Sequence, residues 1–568
     1  MEADFTGLAA RAKVASWGKG GKASLQEAGF VLSGSGNPTI HDRKVPGTIE
    51  DDGWLVADIV GLSPDTEYHI RPYVVIDGKV YYGRHAKKAT RSRIELSMHV
   101  AGMWVGETMT ISVDKLHGIE GGVACQVVRE SRYDGTVNPI VDVQVNPSGN
   151  ELGITGVAEG EAVIAVASVG DPSVRTEIQV TVVRKGKVEG LAKTPPMGWN
   201  TWNSFGRVVT AELVRKIIDA MCTPFSENGK SLRDLGYEYV VVDGGWRQNW
   251  LEPDGTVVPN RYFGGSEGMK ELADYAHSKG LKFGLHVLPG IMDCVKQYVG
   301  AYGYERLHLK QYKDWGVDYL KMDRCGGYTT PENMYKRIKY FMDNAGKDFL
   351  FSISNYYFFG WEAEIGHMWR TTFDIHNIAN HAGGASWDNF MDFARKNTRS
   401  WEAAGPGGWN DPDCMVVGDP GLTLTESVSN FNVWAMMASP LIFGLDLLDM
   451  EKNRDALRVL SNEEVIAVNQ DPLGKHGRPV VEKDGLEVWA KPLADGSMAV
   501  LLLNDTAGAA DMTVNWHEVA YNADFRLEDE MYEVWDLWLH ENLGAFVGSY
   551  TAVDVPAHGT VLLKVSRG

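Results

Sequence analysis

The chain has 568 residues, too many for one hydrophobic core, and its length suggests about four domains. Its 55 Lys and Arg against 75 Asp and Glu leave a net charge of −20, and no basic cluster offers a footprint to a phosphate backbone, which argues against nucleic acid as a partner. No apolar run approaches ~20 residues, so no segment reads as a membrane-spanning helix. The opening residues Met1-Glu2-Ala3-Asp4-Phe5 lack the basic start and apolar centre of a signal peptide. The expectation is therefore either a cytoplasmic protein or an exported one whose leader is absent from this chain.

Residues 1–184 alternate strand patterns with turn signals and carry hardly any helical periodicity, an all-β reading. Segments 28–33, 62–74 and 80–83 resemble fibronectin-type III-like modules of secreted bacterial proteins, which sets a first module at 1–92. Segments 106–111 and 156–164 look like bacterial immunoglobulin-like domains of cell-surface proteins, which sets a second at 93–184. Both are expected to act as spacers more than as carbohydrate binders. The stretch 185–193, basic and glycine-containing at its start, reads as a linker.

From 194 to 475 short apolar runs alternate with longer amphipathic ones, eight of each, the rhythm of a (β/α)8 TIM barrel. The predicted strands are 197–200, 237–243, 282–287, 319–323, 349–354, 368–373, 408–411 and 440–446. Runs such as Val240-Val241-Val242 suit strands buried on both faces. Two strand patterns lead into aspartates, Asp323 and Asp374, each with a cation shortly before it, Lys321 and Arg370. Two carboxylates from separate strand ends are what cleavage of a glycosidic bond needs. Alternation puts Lys321 and Asp323 on one face, where the ammonium should hold the carboxylate ionised. The other carboxylate of such a pair manages the leaving-group proton; with Asp374 in that role, Arg370 is expected to point at the substrate or at another carboxylate.

Four motifs then identify a resemblance: Thr194-Pro195-Pro196-Met197-Gly198-Trp199-Asn200-Thr201-Trp202-Asn203, Lys321-Met322-Asp323, Gly407-Gly408-Trp409-Asn410-Asp411-Pro412-Asp413 and Asn469-Gln470-Asp471-Pro472-Leu473-Gly474. They look like glycoside hydrolase family 27, the α-galactosidases and α-N-acetylgalactosaminidases. The resemblance implies a retaining mechanism with Asp323 as nucleophile and Asp374 as general acid/base. It also implies Trp202 as an aromatic wall for the sugar and Asp413 as a ligand of a ring hydroxyl. It implies a Cys294–Cys325 disulfide, hence an oxidising compartment, and needs no metal or other cofactor. No His, Cys and carboxylate set has zinc spacing in any case. Cys125 and Cys222 read as buried singletons.

The pattern also departs from that family. Its α-galactosidases usually end the second strand with two aspartates, whereas this chain reads Asp243-Gly244-Gly245-Trp246. His286 stands where a tyrosine is usual, and Ser354 where a glutamate reads the 2-hydroxyl. Residues 476–568 return to strand patterning and read as an antiparallel β-sandwich packed on the barrel. The expectation is an exo-acting retaining glycosidase exported by a bacterium to the periplasm or cell surface. Its substrate would be an oligo- or polysaccharide, most simply one with terminal α-galactose. β-L-Arabinopyranosidase, α-N-acetylgalactosaminidase or α-glucan activity, or a catalytically silent glycan-binding protein, remain the alternatives.

Overall fold

The computed structural model describes the chain except residues 1, 4–6, 14–24, 35, 52, 64–65, 91–93, 117–120, 376–384, 520–530 and 568, and gives the backbone alone at 2, 3, 7, 13, 115 and 116. Eight parallel strands form one curled sheet: Met197–Asn200, Tyr239–Val242, Lys282–Val287, Tyr319–Asp323, Leu350–Ser354, Met368–Arg370, Trp409–Asp411 and Leu441–Phe443. Counted along the chain, their spatial order is 7-6-5-4-3-2-1-8. A bridge between Met415 and Phe443 brings the stretch after the seventh strand against the eighth and closes the ring. All eight predicted strands are present. The sixth is shorter than predicted, ending at Arg370 rather than at 373.

Strand alternation separates two cores. Outward residues such as Leu320 and Met322 pack under the surrounding helices. Inward residues Tyr239, Val241, Tyr319, Leu350, Met368 and Ile442 form a separate apolar plug. Beyond that plug, toward the strands' carboxyl ends, the inward positions become polar: Asp243, Lys321, Asp323, Ser352, Ser354 and Arg370. The register places His286 beside Lys321, Lys321 beside Ser352, Asp323 beside Ser354 and Arg370 beside Asp411. The polar groups therefore stand on a dry floor at the end of the barrel where (β/α)8 enzymes carry their sites.

The helices follow from capping and periodicity. Ala211–Met221 starts at Thr210, whose hydroxyl accepts from the Leu213 amide at 3.1 Å, and it buries Val214, Ile217, Ile218 and Met221 on one face. Pro331–Asp343 differs, burying every residue from Asn333 to Met342, three cations included. The second β module explains this by covering what would be its solvent face. Gly102 in that module lies so close that a Cβ there would sit 2.3 Å from the Asn333 carbonyl oxygen.

Two of the three buried cations, Lys336 and Arg337, reach across this seam, while Lys339 pairs with Asp343 of the same helix. Arg337 Nε donates to Glu305 at 2.6 Å and its Nη1 to the Thr181 hydroxyl at 3.0 Å, while Lys336 meets Glu107 at 3.0 Å. Replacing Arg337 with Met would leave the Glu305 carboxylate, 3 % exposed, without its partner. The expected loss is about 3–5 kcal/mol of stability, read as a lower midpoint in urea unfolding.

The first module is two antiparallel sheets around Leu8, Phe30, Leu32, Leu55, Ile59 and Ile70. It leans on the barrel's rim: the Asn37 amide donates to the carbonyls of Leu251 and Glu252 at 3.1 and 2.8 Å, and the Lys87 ammonium lies 4.7 Å from the Tyr304 ring. The second is also two four-stranded sheets. After the barrel, a six-stranded antiparallel sheet faces a two-stranded one across Val500, Leu502, Val514, Trp516 and Val534, a β-sandwich as expected.

Candidate active site

Asp323 ends the fourth strand and points into the barrel mouth. Its Oδ1 accepts from the Tyr356 hydroxyl at 2.6 Å, and its Oδ2 lies 3.3 Å from His286 Nε2 and 3.4 Å from Cys325 Sγ. Burial pushes this carboxyl up, but the His286 ring, the Tyr356 hydrogen bond and the Lys321 charge outweigh it and hold the group below its ordinary value. Tyr356 reaches Asp323 from a left-handed backbone position, φ 67°, with its ring stacked on Phe373 at 5.6 Å. Burial and the facing carboxylates raise the Tyr356 phenol far above its usual range, so it remains a donor throughout.

Lys321 makes its contact elsewhere than the sequence suggested. Its ammonium bonds Asp243 Oδ2 at 2.8 Å, because residues two apart on a strand are spaced by about 6.6 Å and the second strand's aspartate is nearer. Asp243 also accepts from Asn200 Nδ2 at 3.1 Å and from the Gly244 amide at 2.8 Å. Despite burial, Lys321 and His286 hold it ionised. Lys321 acts on Asp323 through space.

Asp374 lies in the bend after the sixth strand, with 41 % of its side chain open to solvent at the mouth. Arg370 Nη1 is 3.2 Å from it, while Arg370 Nη2 is 3.1 Å from Asp413 and also donates to the carbonyls of Thr372 and Phe373. Arg370 thus reaches another carboxylate, as expected, but touches Asp374 as well. Asp374 is nevertheless raised: the walls desolvate it, and the charges of Asp413 and Asp323 reinforce that against Arg370 and Lys321. One guanidinium serves three acids here, and the third, buried Asp411, is pushed up to about 6 by burial and Asp413. Burial raises Asp374 by more than the charge of Arg370, shared among these acids, lowers it.

The other predicted residues border the same pocket. Trp202 opens a short helix after the first strand, and a Cβ on Gly244 would lie 3.3 Å from its ring. Asp413 is held by the Ile375 and Cys414 amides, both at 2.8 Å, which leaves it a wall of the Arg370 cluster. Ser354, 1 % exposed, has a hydroxyl without a partner among the described residues. Cys294 and Cys325 form a disulfide, Cα atoms 4.8 Å apart. With Asp323 their ligand atoms lie within 4.8 Å of one another. Both sulfurs are consumed by the bond, so this grouping is no metal centre. Cys125 and Cys222 are half-buried, correcting their reading as buried.

A closed (β/α)8 barrel that gathers two aspartates of opposed acidity at its strand ends defines a glycoside hydrolase. Comparison with known proteins places it more closely. Residues 194–471 match the family described as α-galactosidase A, and residues 483–565 its C-terminal β-sandwich domain. An α-galactosidase of Cyamopsis tetragonoloba is 38 % identical over 377 residues, 65 % of this chain and 85 % of that one. The crystal structure of α-galactosidase I from Mortierella vinacea superposes with TM-score 0.59 at 31 % identity, covering 67 % of this chain and 99 % of the other. A Bacteroides fragilis structure of the same type covers 84 % of this chain and 97 % of its own, with TM-score 0.58 and 26 % identity. The chain belongs to the α-galactosidase family, glycoside hydrolase family 27.

Proposed function

We propose that the protein is a retaining exo-glycosidase that removes terminal α-galactose, with Asp323 as nucleophile and Asp374 as acid/base. The opposed acidities of the two aspartates carry this reading. Asp374 gives its proton to the departing glycosidic oxygen while Asp323 attacks the anomeric carbon, forming a glycosyl ester and releasing the aglycone. Asp374, now a carboxylate, then takes a proton from water as that water attacks the ester. The Lys321–Asp243 pair and Trp202 supply hydroxyl contacts and an apolar face for the sugar. The disulfide beside the site and the β modules, bounded at 1–92 and 93–184, support an extracytoplasmic bacterial setting. Tethering to the cell surface through a removed leader fits it.

Gly244 and the unpartnered Ser354 favour a second reading, a related pyranoside instead of plain galactose, because a pocket built for a hydroxyl discriminates through that contact. Nitrophenyl α-galactoside, α-N-acetylgalactosaminide, β-L-arabinopyranoside and α-glucoside, assayed side by side, test both. Preference for the first supports galactose; preference for another transfers the same mechanism to that sugar. Cleavage of none would favour an extended natural substrate or a glycan-binding protein.

Tyr356 has a testable share in this chemistry. A Tyr356→Phe change removes a hydrogen bond that stabilises the ionised nucleophile, so Asp323 should titrate higher and the acid limb of kcat/KM should move to higher pH. The expected rate loss at the optimum is roughly 10–100-fold. A pH–rate profile of the variant checks both.

A further inference from the structure

Beside Gly244 the pocket's edge carries more positive charge than it can neutralise. Arg207, from the segment after the first barrel strand, runs past Gly244 so closely that a Cβ there would lie 3.9 Å from its Cγ. Its guanidinium meets Asp293 at 3.2 Å and Gln297 at 3.1 Å, 5.5 Å from the centre of the Tyr298 ring. Arg247, from the segment after the second strand, approaches the same ring at 5.8 Å and Trp246 at 5.6 Å. Arg84 of the first module also feels the Asp293 charge.

Of these guanidiniums, Arg207 contacts Asp293, whose Oδ1 also accepts from the Gln297 and Tyr298 amides. Arg247 is only 6 % exposed, yet among the described residues its side chain has no hydrogen bond or ion pair, and neither has that of Arg84. Burial lowers the basicity of both, with Asp293 as opposing charge. A guanidinium without an anion keeps its fork of donors open, and that fork matches carboxylate and sulfate oxygens. The cluster also adjoins the reacting centre: Asp293 precedes Cys294, whose sulfur lies within 4.8 Å of an Asp323 oxygen.

We propose that Arg207 and Arg247 form an anion-recognition subsite at the pocket's Gly244 edge, taking a carboxylate or sulfate ester borne by the sugar in the pocket. The proposal deepens the glycosidase reading and rests on it.

The test uses the full chain and three substrates: 4-nitrophenyl α-galactopyranoside, its 6-sulfate and the corresponding α-galacturonide. At least one anionic substrate should exceed the neutral one by about tenfold in kcat/KM. A gain for the uronide alone assigns a carboxylate, and a gain for the sulfate alone assigns a sulfate ester. Arg207→Gln and Arg247→Gln should each reduce the anionic-to-neutral ratio. Arg207→Gln, at a partly exposed side chain, leaves Arg247 in place and covers the case in which Arg247→Gln fails to fold. Asp323-dependent cleavage of the neutral galactoside with no anionic preference, or a preference unmoved by Arg207→Gln, would overturn the subsite and leave the glycosidase reading intact. Cleavage of none of the three and of none of the nitrophenyl panel would overturn both.

Discussion

Asp323→Asn is expected to lower turnover of every substrate by at least about a thousandfold, roughly 4 kcal/mol of lost transition-state stabilisation, while the protein still folds. The amide keeps the shape of the carboxylate but cannot form the ester. The folded state loses the attraction of His286, Tyr356 and Lys321 for a negative charge, but it also loses the burial penalty on that charge. The two changes oppose each other, so a thermal scan should show a midpoint close to that of the parent. The complementary Asp323→Gly enzyme opens the attacking face to an added nucleophile. Azide entering there should give the β-glycosyl azide, the inverted product.

Asp374→Asn should separate substrates by their leaving groups. A sugar alcohol needs the proton from Asp374, and its release should fall by about 10²–10⁴-fold. A dinitrophenolate needs none, so its departure should be far less affected, leaving slow hydrolysis of the ester and a burst of phenolate. The parent enzyme works only while Asp374 is protonated. Because that carboxyl is raised, its proton persists to higher pH than an ordinary aspartate's and is lost as pH rises further, giving the alkaline limb. The variant has no such proton to lose, and that limb should flatten. Azide should rescue Asp374→Gly with retention, since it attacks the ester from the face water would use.

Much of this was legible in the sequence, for identifiable reasons. The eight strands were visible because a parallel strand covered on both faces is a short continuous apolar run, and nearly every predicted one is punctuated by a polar or charged residue at its end. Lys321, Asp323 and Asp243 could be placed because strand alternation is rigid. The partner of Lys321 could not, since it depends on which neighbouring strand brings a carboxylate closer. Tyr356 was missed as an active group because its reach to Asp323 depends on a left-handed backbone turn that no local residue type signals. The acidity of Asp374 was the least legible. It is set by burial among loops from separate strands and by Asp413, a residue about 40 positions away in sequence. The arginines at the Gly244 edge likewise come from separate segments and meet only around Tyr298 and Asp293.

Proton NMR of the sugar in the first minutes of hydrolysis, before mutarotation mixes the anomers, bears most directly on the proposed ester at Asp323. Two successive displacements predict that the α-anomer of galactose appears first and the β-anomer only later. First appearance of the β-anomer would mean that water attacks the substrate directly, and Asp323 could not then be the nucleophile.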